Sequence, residues 1–175
     1  MVSQLTGAAG AEVGEKVTLE FKGGDKLKRT LKRMNTGLGT AKGVSVGFLA
    51  DKTYPATHGI RGTPRAPLKV AQVAFWNQWG TKRAPARPFF TTMIEECSPR
   101  WGESLAYLAK AHNYDAKKMM TNMGIGIQAQ LVSSIVNWSD PPNAQRTVDI
   151  KGFNNPLIDE GIMQNSVEYE VTNKL

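Results

Sequence analysis

Cysteine and histidine are scarce in this chain, with one Cys and two His among 175 residues. The single Cys97 excludes an intramolecular disulfide framework and a cysteine-based zinc site. No apolar run approaches the roughly 18 residues that a membrane helix needs, and the N-terminus lacks the charged region and apolar stretch of a secretory signal. We therefore expect a soluble protein made in a reducing cytoplasm, with no cofactor, no metal and no membrane partner.

Sets of residues that could act together in catalysis or metal binding are equally scarce. His58 and His112 are 54 positions apart, so they do not have the short spacing of a metal-binding pair. Glu95 and Glu96 are adjacent on a predicted helix, so their carboxylates diverge instead of facing one substrate. Since no nucleophile, base or phosphate loop can be assembled from the sequence, we predict that the protein is not an enzyme.

Positive charge is concentrated in the first part of the chain. Residues 1–103 contain 16 Lys and Arg against 8 Asp and Glu, whereas residues 104–175 contain 6 against 7. A basic half favours a polyanion or an acidic partner surface. The alternative is a set of solvated lysines that only keep the protein soluble.

Hydrophobic periodicity and breaker residues predict an α+β fold. We expect a flexible arm over 1–12 and one domain over 13–175, in which a small mixed sheet of about three strands or more packs against three to four helices. Two long loops are predicted at 51–68 and 139–156. The predicted strands are 16–22, 43–50 and about 167–171; the predicted helices are 25–35, about 68–79, one that begins at Pro88, 98–112, about 115–137, and a short turn begun by Asp159.

Several residues are assigned to helix ends. Asp25, Ser98 and Asp115 are predicted N-caps, Gly80 a C-cap, and Pro88 the first residue of a helix. Within the helix over 115–137, Gly124 and Gly126 each cost about 1 kcal/mol relative to Ala. We therefore expect both glycines to allow another backbone to approach closely.

The segment "FWNQWGTKRAPARPFF" (75–90) combines aromatic and basic residues. Aromatics beside Lys82, Arg83 and Arg87 could form a stacking groove for single-stranded nucleic acid. Helical spacing instead predicts that Phe75, Phe89 and Phe90 are buried. A small basic nucleic-acid-binding protein therefore stays as the alternative function, and its phosphate contacts would come from the basic helix. The basic residues of that helix are Lys26, Lys28, Arg29, Lys32 and Arg33.

Two segments resemble those of a known family. "VAQVAFWNQWGTKRAPARPFF" resembles the V-A-x-x-A-x-x-N-E-F-G-T…I-P-A-R-P-F segment of bacteriophage neck and tail-completion proteins, the head–tail joining family that includes the lambdoid minor tail protein Z. "PPNAQRTVDIKG" and "NNPLIDEGIMQNSVEYEV" are similar to the family's linker and closing segments, in the same order. The chain departs from the pattern at Gln78-Trp79, in place of an acidic–aromatic pair, and at Glu160, in place of threonine.

The resemblance implies a structural protein of the virion, assembled in the host cytoplasm into a ring, commonly a hexamer. Its partners would be further copies of itself, the adjacent neck or connector proteins, and tail-terminator or tail-tube proteins. We expect Pro85 and Pro88 to stiffen an arm that docks on a neighbouring subunit, with Arg87 as its anchor. The alternative is that Arg87 caps helix carbonyls within its own subunit.

Further residues are assigned to the same surfaces. The interface is predicted to include Trp79, Lys82 and Arg83, together with four residues of the 51–68 loop: Tyr54, His58, Arg61 and Arg65. The basic helix and this loop would face the genomic DNA in the lumen, an acidic neighbouring ring, or solvent.

Overall fold

The computed structural model describes residues 24–49, 51–58 and 64–173, without the side chains of residues 57, 58, 64 and 65. The predicted arm over 1–12 and the predicted strand over 16–22 lie outside this part of the chain. The helices are α1 (Gly24–Leu38), α2 (Val70–Trp79), α3 (Phe89–Cys97), α4 (Trp101–Ala111), α5 (Ala116–Asn137) and α6 (Gln145–Lys151), and the strands are β1 (Gly43–Gly47), β2 (Thr53–Tyr54), β3 (Thr57–His58), β4 (Pro64–Arg65), β5 (Leu68–Lys69) and β6 (Glu168–Thr172).

The longest helix, α5, is the centre of the fold. The antiparallel pair of β1 and β6 packs on one side of it, with Val46 opposite Tyr169, and α3 and α4 pack on other sides. The α+β class predicted from the sequence is confirmed. Among the described strands all pairing is antiparallel, as β1–β6, β2–β5 and β3–β4.

The core lies where α2, α3 and α5 meet the closing segment of the chain. Its fully buried large side chains are Val70, Phe89, Leu131 and Ile135. A polar contact fixes α3 on α5 here, because the Ser134 hydroxyl donates to the Phe89 carbonyl at 2.8 Å.

One of the two glycines of α5 allows a close approach, but the approaching atoms belong to side chains and not to another backbone. A Cβ on Gly124 would lie 2.5 Å from the Tyr169 ring and 2.9 Å from Val44 Cγ2, so glycine lets the β1–β6 pair approach the helix. The expectation for Gly126 is wrong: this residue is exposed and a Cβ would meet nothing within 4 Å.

Both predicted long loops contain short regular elements. The 51–68 segment holds β2, β3 and β4, and Leu68 begins β5 instead of a helix. The 139–156 segment contains α6, which is followed by Gly152 in the left-handed conformation. Two-residue strands and a seven-residue exposed helix are too short to impose a recognisable hydrophobic period, so the sequence pattern missed them.

The helix ends are partly as predicted. Asp115 caps α5, with its carboxylate accepting from the Lys118 amide at 3.3 Å, and Gly80 ends α2 with φ 75°. Asp25 lies inside the first turn of α1, which begins one residue earlier. Pro88 precedes α3 instead of starting it.

Two further predicted helix starts differ from the structure. A 3₁₀ turn over Ser98–Arg100 separates α3 from α4, so α4 begins at Trp101 and not at Ser98. The turn after Asp159 is irregular, and the 3₁₀ turn that precedes β6 covers Gln164–Ser166. None of the helices described is both long and apolar enough to cross a lipid bilayer.

Candidate assembly surface

The segment after α2 folds back on its own helix. A turn is closed by the Thr81 amide, which donates to the Ala84 carbonyl at 2.8 Å, and by the Thr81 hydroxyl, which accepts from the Arg83 and Ala84 amides at 3.2 and 3.0 Å. The Arg87 amide then donates to the Asn77 carbonyl at 2.7 Å. The predicted projecting arm is therefore a compact turn held against the C-terminal end of α2.

Gln78 joins α2 to α3 from a buried position. Its amide oxygen accepts from the Phe90 amide at 2.9 Å, and its amide nitrogen donates to the Thr91 hydroxyl at 2.8 Å. The first amides of a helix have no partner inside the helix, so Gln78 supplies one at the start of α3. An acid at position 78 is not needed for this contact, and the sequence pattern did not reveal the role of the glutamine.

Arg87 lies inside its own chain, with 8% of the residue exposed. Its Nε donates to the Pro141 carbonyl at 3.1 Å and its Nη2 to the Pro142 carbonyl at 3.3 Å. Burial lowers the pKa of the guanidinium below its usual value. The expected intersubunit anchor is thus corrected in favour of the intrachain alternative, although the carbonyls belong to a loop and not to a helix end.

The other face of α2 presents large aromatic side chains to solvent. Phe75 is 60% and Trp79 62% exposed, one turn apart; we call these two residues the aromatic stripe. The predicted burial of Phe75 is wrong, whereas Phe89 is buried and Phe90 half-buried. α2 is apolar on nearly every side, so the hydrophobic period could not indicate which side packs on the core.

Basic side chains follow the stripe directly. Lys82 and Arg83 are exposed at the tip of the turn, and within the described residues neither has an ion-pair partner. Pro85 is exposed beside them and Pro88 is half-buried. Of the predicted interface segment, Trp79, Lys82, Arg83 and Pro85 are therefore accessible to a partner.

A second accessible feature is a cavity of about 360 Å³ on a different side of α2, with both apolar and polar lining residues, which we call the Tyr54 pocket. Residues from β2, β5, α2 and the closing segment line it: Tyr54, Leu68, Val73, Trp76, Asn77, Leu157 and Ile162. Asp159 and Glu160 are exposed at its margin, and no ion pair to either occurs in the part of the chain that is described. Burial, followed by these two carboxylates, raises the pKa of the Tyr54 hydroxyl.

Lys151 lines the Tyr54 pocket. Its ammonium donates to the Asn155 carbonyl at 2.7 Å and also to the Ile158 carbonyl, and it lies 4.8 Å from the centre of the Phe153 ring. Burial is the main cause of the lowered pKa of Lys151; the nearby Asp159 charge acts in the opposite direction and the Arg87 charge in the same direction. The Lys151 contacts lie within residues 151–158, whereas the Arg87 contacts join Pro141 and Pro142 to the turn after α2.

The remaining predicted loop residues can be placed only by their backbone. His58 pairs with Pro64, and Arg65 with Thr57, across the β3–β4 pair. Arg61 lies outside the described residues. Only Tyr54 of this group therefore has a described side chain, and it lines the pocket.

α1 displays the predicted basic cluster. Its five basic residues, Lys26, Lys28, Arg29, Lys32 and Arg33, are all exposed. Leu27 and Leu31 are exposed as well, and the helix has no buried residue. Arg29, Lys32 and Arg33 border an open groove that Lys118 and His112 complete on the side of α5.

The groups considered for catalysis lie apart. His112 contacts Asn122, with 2.6 Å between the ring Nε2 and the amide nitrogen, and Cys97 is half-buried against the core. Among the described residues there is no group of three or more His, Cys, Asp or Glu that could hold a metal ion.

Comparison with known proteins gives no relative. No family model, no curated protein and no solved structure matches this chain.

Proposed function

We propose that this chain is a structural protein of a tailed phage, which forms a ring at the neck or tail end, completes the tail and joins it to the head. The observation that carries the proposal is the exposed aromatic stripe followed by Lys82 and Arg83, within the segment that resembles neck and tail-completion proteins. Aromatic and arginine side chains are enriched at protein interfaces. The partners would be further copies of the chain, adjacent connector proteins and tail-terminator or tail-tube proteins.

Deletion of the gene from the phage that encodes it tests this function. We expect lysates in which DNA-filled heads and finished tails accumulate separately, and joined virions return when the gene is supplied from a plasmid. Normal virions from the deletion phage would refute a joining role. In the proposed role the protein acts in the virion and requires no catalytic group.

The second candidate function, binding of nucleic acid without catalysis, is favoured by α1. Five exposed cations on one helix suit phosphate contacts, and such binding weakens steeply with salt and does not depend on sequence. Within a ring, the same helix would face DNA in the lumen or an acidic neighbouring ring.

A matched pair of variants separates these possibilities. K28E/K32E reverses two charges of α1, and R100E/K110E reverses two exposed charges that do not line the groove beside α1. DNA retention on a filter at low salt, lost in the first variant and kept in the second, would support DNA binding by α1. Equal retention by both variants, or none by the wild-type chain, would argue against it.

A further inference from the structure

The aromatic stripe is a large apolar surface that stays exposed among the described residues of its own chain. Phe75 and Trp79 are 60% and 62% exposed on neighbouring turns of α2. A buried aromatic side chain typically removes about 150–250 Å² from water, and adjacent exposed apolar side chains on one helix are candidates for an interaction site.

The Tyr54 pocket has the size and lining to accept such a ring. Its volume of about 360 Å³ is near the lower end of the roughly 300–1,000 Å³ that ligand pockets span. The half-buried side chains of Tyr54, Leu68 and Ile162 give it apolar walls. One aromatic side chain is a better match to these dimensions than an extended peptide.

The stripe and the pocket face different directions from α2. Val73, Trp76 and Asn77 line the pocket; around a helix of 3.6 residues per turn, Phe75 lies about 200° from Val73 and Asn77, and Trp79 lies about 60° from Trp76. Since Phe75 and Trp79 are exposed and neither lines the pocket, the chain does not insert its own stripe into its own pocket. Contact between the two surfaces has to join different copies head to tail, and repetition of such a contact gives a ring or a filament.

The charges beside the two surfaces are complementary. Lys82 and Arg83 follow the stripe, and Asp159 and Glu160 border the pocket; within the described residues all four lack an ion-pair partner. We propose that Trp79 of one copy inserts into the Tyr54 pocket of the next, with Phe75 against the rim of the pocket and the basic turn against the acidic margin. The inference adds a specific contact to the proposed function. It rests on that function only for the closure of repeated contacts into a ring.

Mixing of two defective variants tests the head-to-tail contact. F75A/W79A removes the stripe and leaves the pocket, whereas D159K/E160K reverses the margin and leaves the stripe. We expect association of the wild-type chain to weaken on the order of 100-fold in each variant, as for loss of central interface residues. An equimolar mixture should form a heterodimer with twice the 19.1 kDa chain mass, because one intact contact remains, and analytical ultracentrifugation measures this mass.

Charge exchange tests the pairing of the margins. K82E/R83E alone should associate as weakly as D159K/E160K, and the four changes in one chain should restore association. Y107A and E95K/E96K are the matched controls, since they alter an exposed aromatic ring on α4 and an exposed acidic pair on α3. Circular dichroism melting of every variant checks that folding is retained.

Three results would overturn the proposal. They are a wild-type chain that stays monomeric, a D159K/E160K variant that associates like the wild type, and a mixture of the two defective variants that stays monomeric. Phage assembly separates the inference from the function: a deletion that leaves joining intact would defeat the function alone. Normal self-association of both defective variants would defeat this contact alone.

Discussion

Residues 75–90 can be divided into an inner part and an outer part. Both contain aromatic and basic side chains, but the inner part is buried and the outer part is exposed. The inner part, with Gln78, Arg87 and Phe89, is buried and joins α2 to α3 and to the loop at Pro141. The outer part, with Trp79 and Lys82, faces solvent. A basic and aromatic segment can therefore contain buried contacts and an exposed surface at once, and substitutions should separate the two.

The largest expected effect is in the inner part, at Phe89. F89A should lower the free energy of unfolding by about 3–5 kcal/mol, because it removes a fully buried ring and leaves a cavity in the core. Urea denaturation followed by tryptophan fluorescence measures this. F89L, which retains more of the volume, should cost clearly less; equal losses would mean that the site is not closely packed.

Arg87 should give the next largest effect. R87M should cost about 2–3 kcal/mol, since the carbonyls of Pro141 and Pro142 lose a charged donor. R87K keeps the charge but not the two-pronged geometry and should recover only part of the loss. Self-association measured well below the melting temperature should stay normal. Normal melting with lost association would restore the intersubunit anchor hypothesis.

Gln78 tests the hydrogen bonds by which the inner part joins α2 to α3. Q78L should cost about 1–2 kcal/mol because the Phe90 amide and the Thr91 hydroxyl lose their partner. Q72L is the matched control, as Gln72 is exposed on the same helix. If the two variants melt at the same temperature, the link from α2 to α3 contributes nothing measurable.

The outer part should give almost no effect on stability. W79A is expected to change the free energy of unfolding by less than about 0.5 kcal/mol, the usual range for exposed positions. The same variant should lose association, so the inner and outer parts would differ in both measurements. A loss of stability comparable with that of F89A would contradict the division.

Tyr54 should give a small effect confined to alkaline pH. Its pKa is raised above the ordinary 10.0, first by burial and then by Asp159 and Glu160. In the window above pH 10 the unfolded chain releases the phenolic proton before the folded chain does, so stability falls as the pH rises. Y54F removes this contribution; urea midpoints of the wild type and Y54F should therefore diverge between pH 9 and 11, with the wild type falling faster. Parallel curves would mean that Tyr54 titrates alike in both states.

Local chemistry allowed much of the framework to be predicted. The α+β class, the helix over 116–137 with its Asp115 cap, the Gly80 end of α2 and the strand with Tyr169 all follow from periodicity or from a capping residue. These features depend on neighbours within a few residues of the chain. The resemblance to neck and tail-completion proteins also comes from the sequence alone, and the ring remains a proposal.

Tertiary structure decided what each side of α2 does. Ten residues that are apolar on almost every side can pack on a core in several orientations, and contacts with Phe89 and Leu131, distant in sequence, select the one that exposes Phe75 and Trp79. The environment of Arg87 was decided in the same way, since its acceptors lie 54 and 55 residues further along. Sequence determined the elements because their causes are local; packing determined the candidate surface because burial depends on residues that only folding brings together.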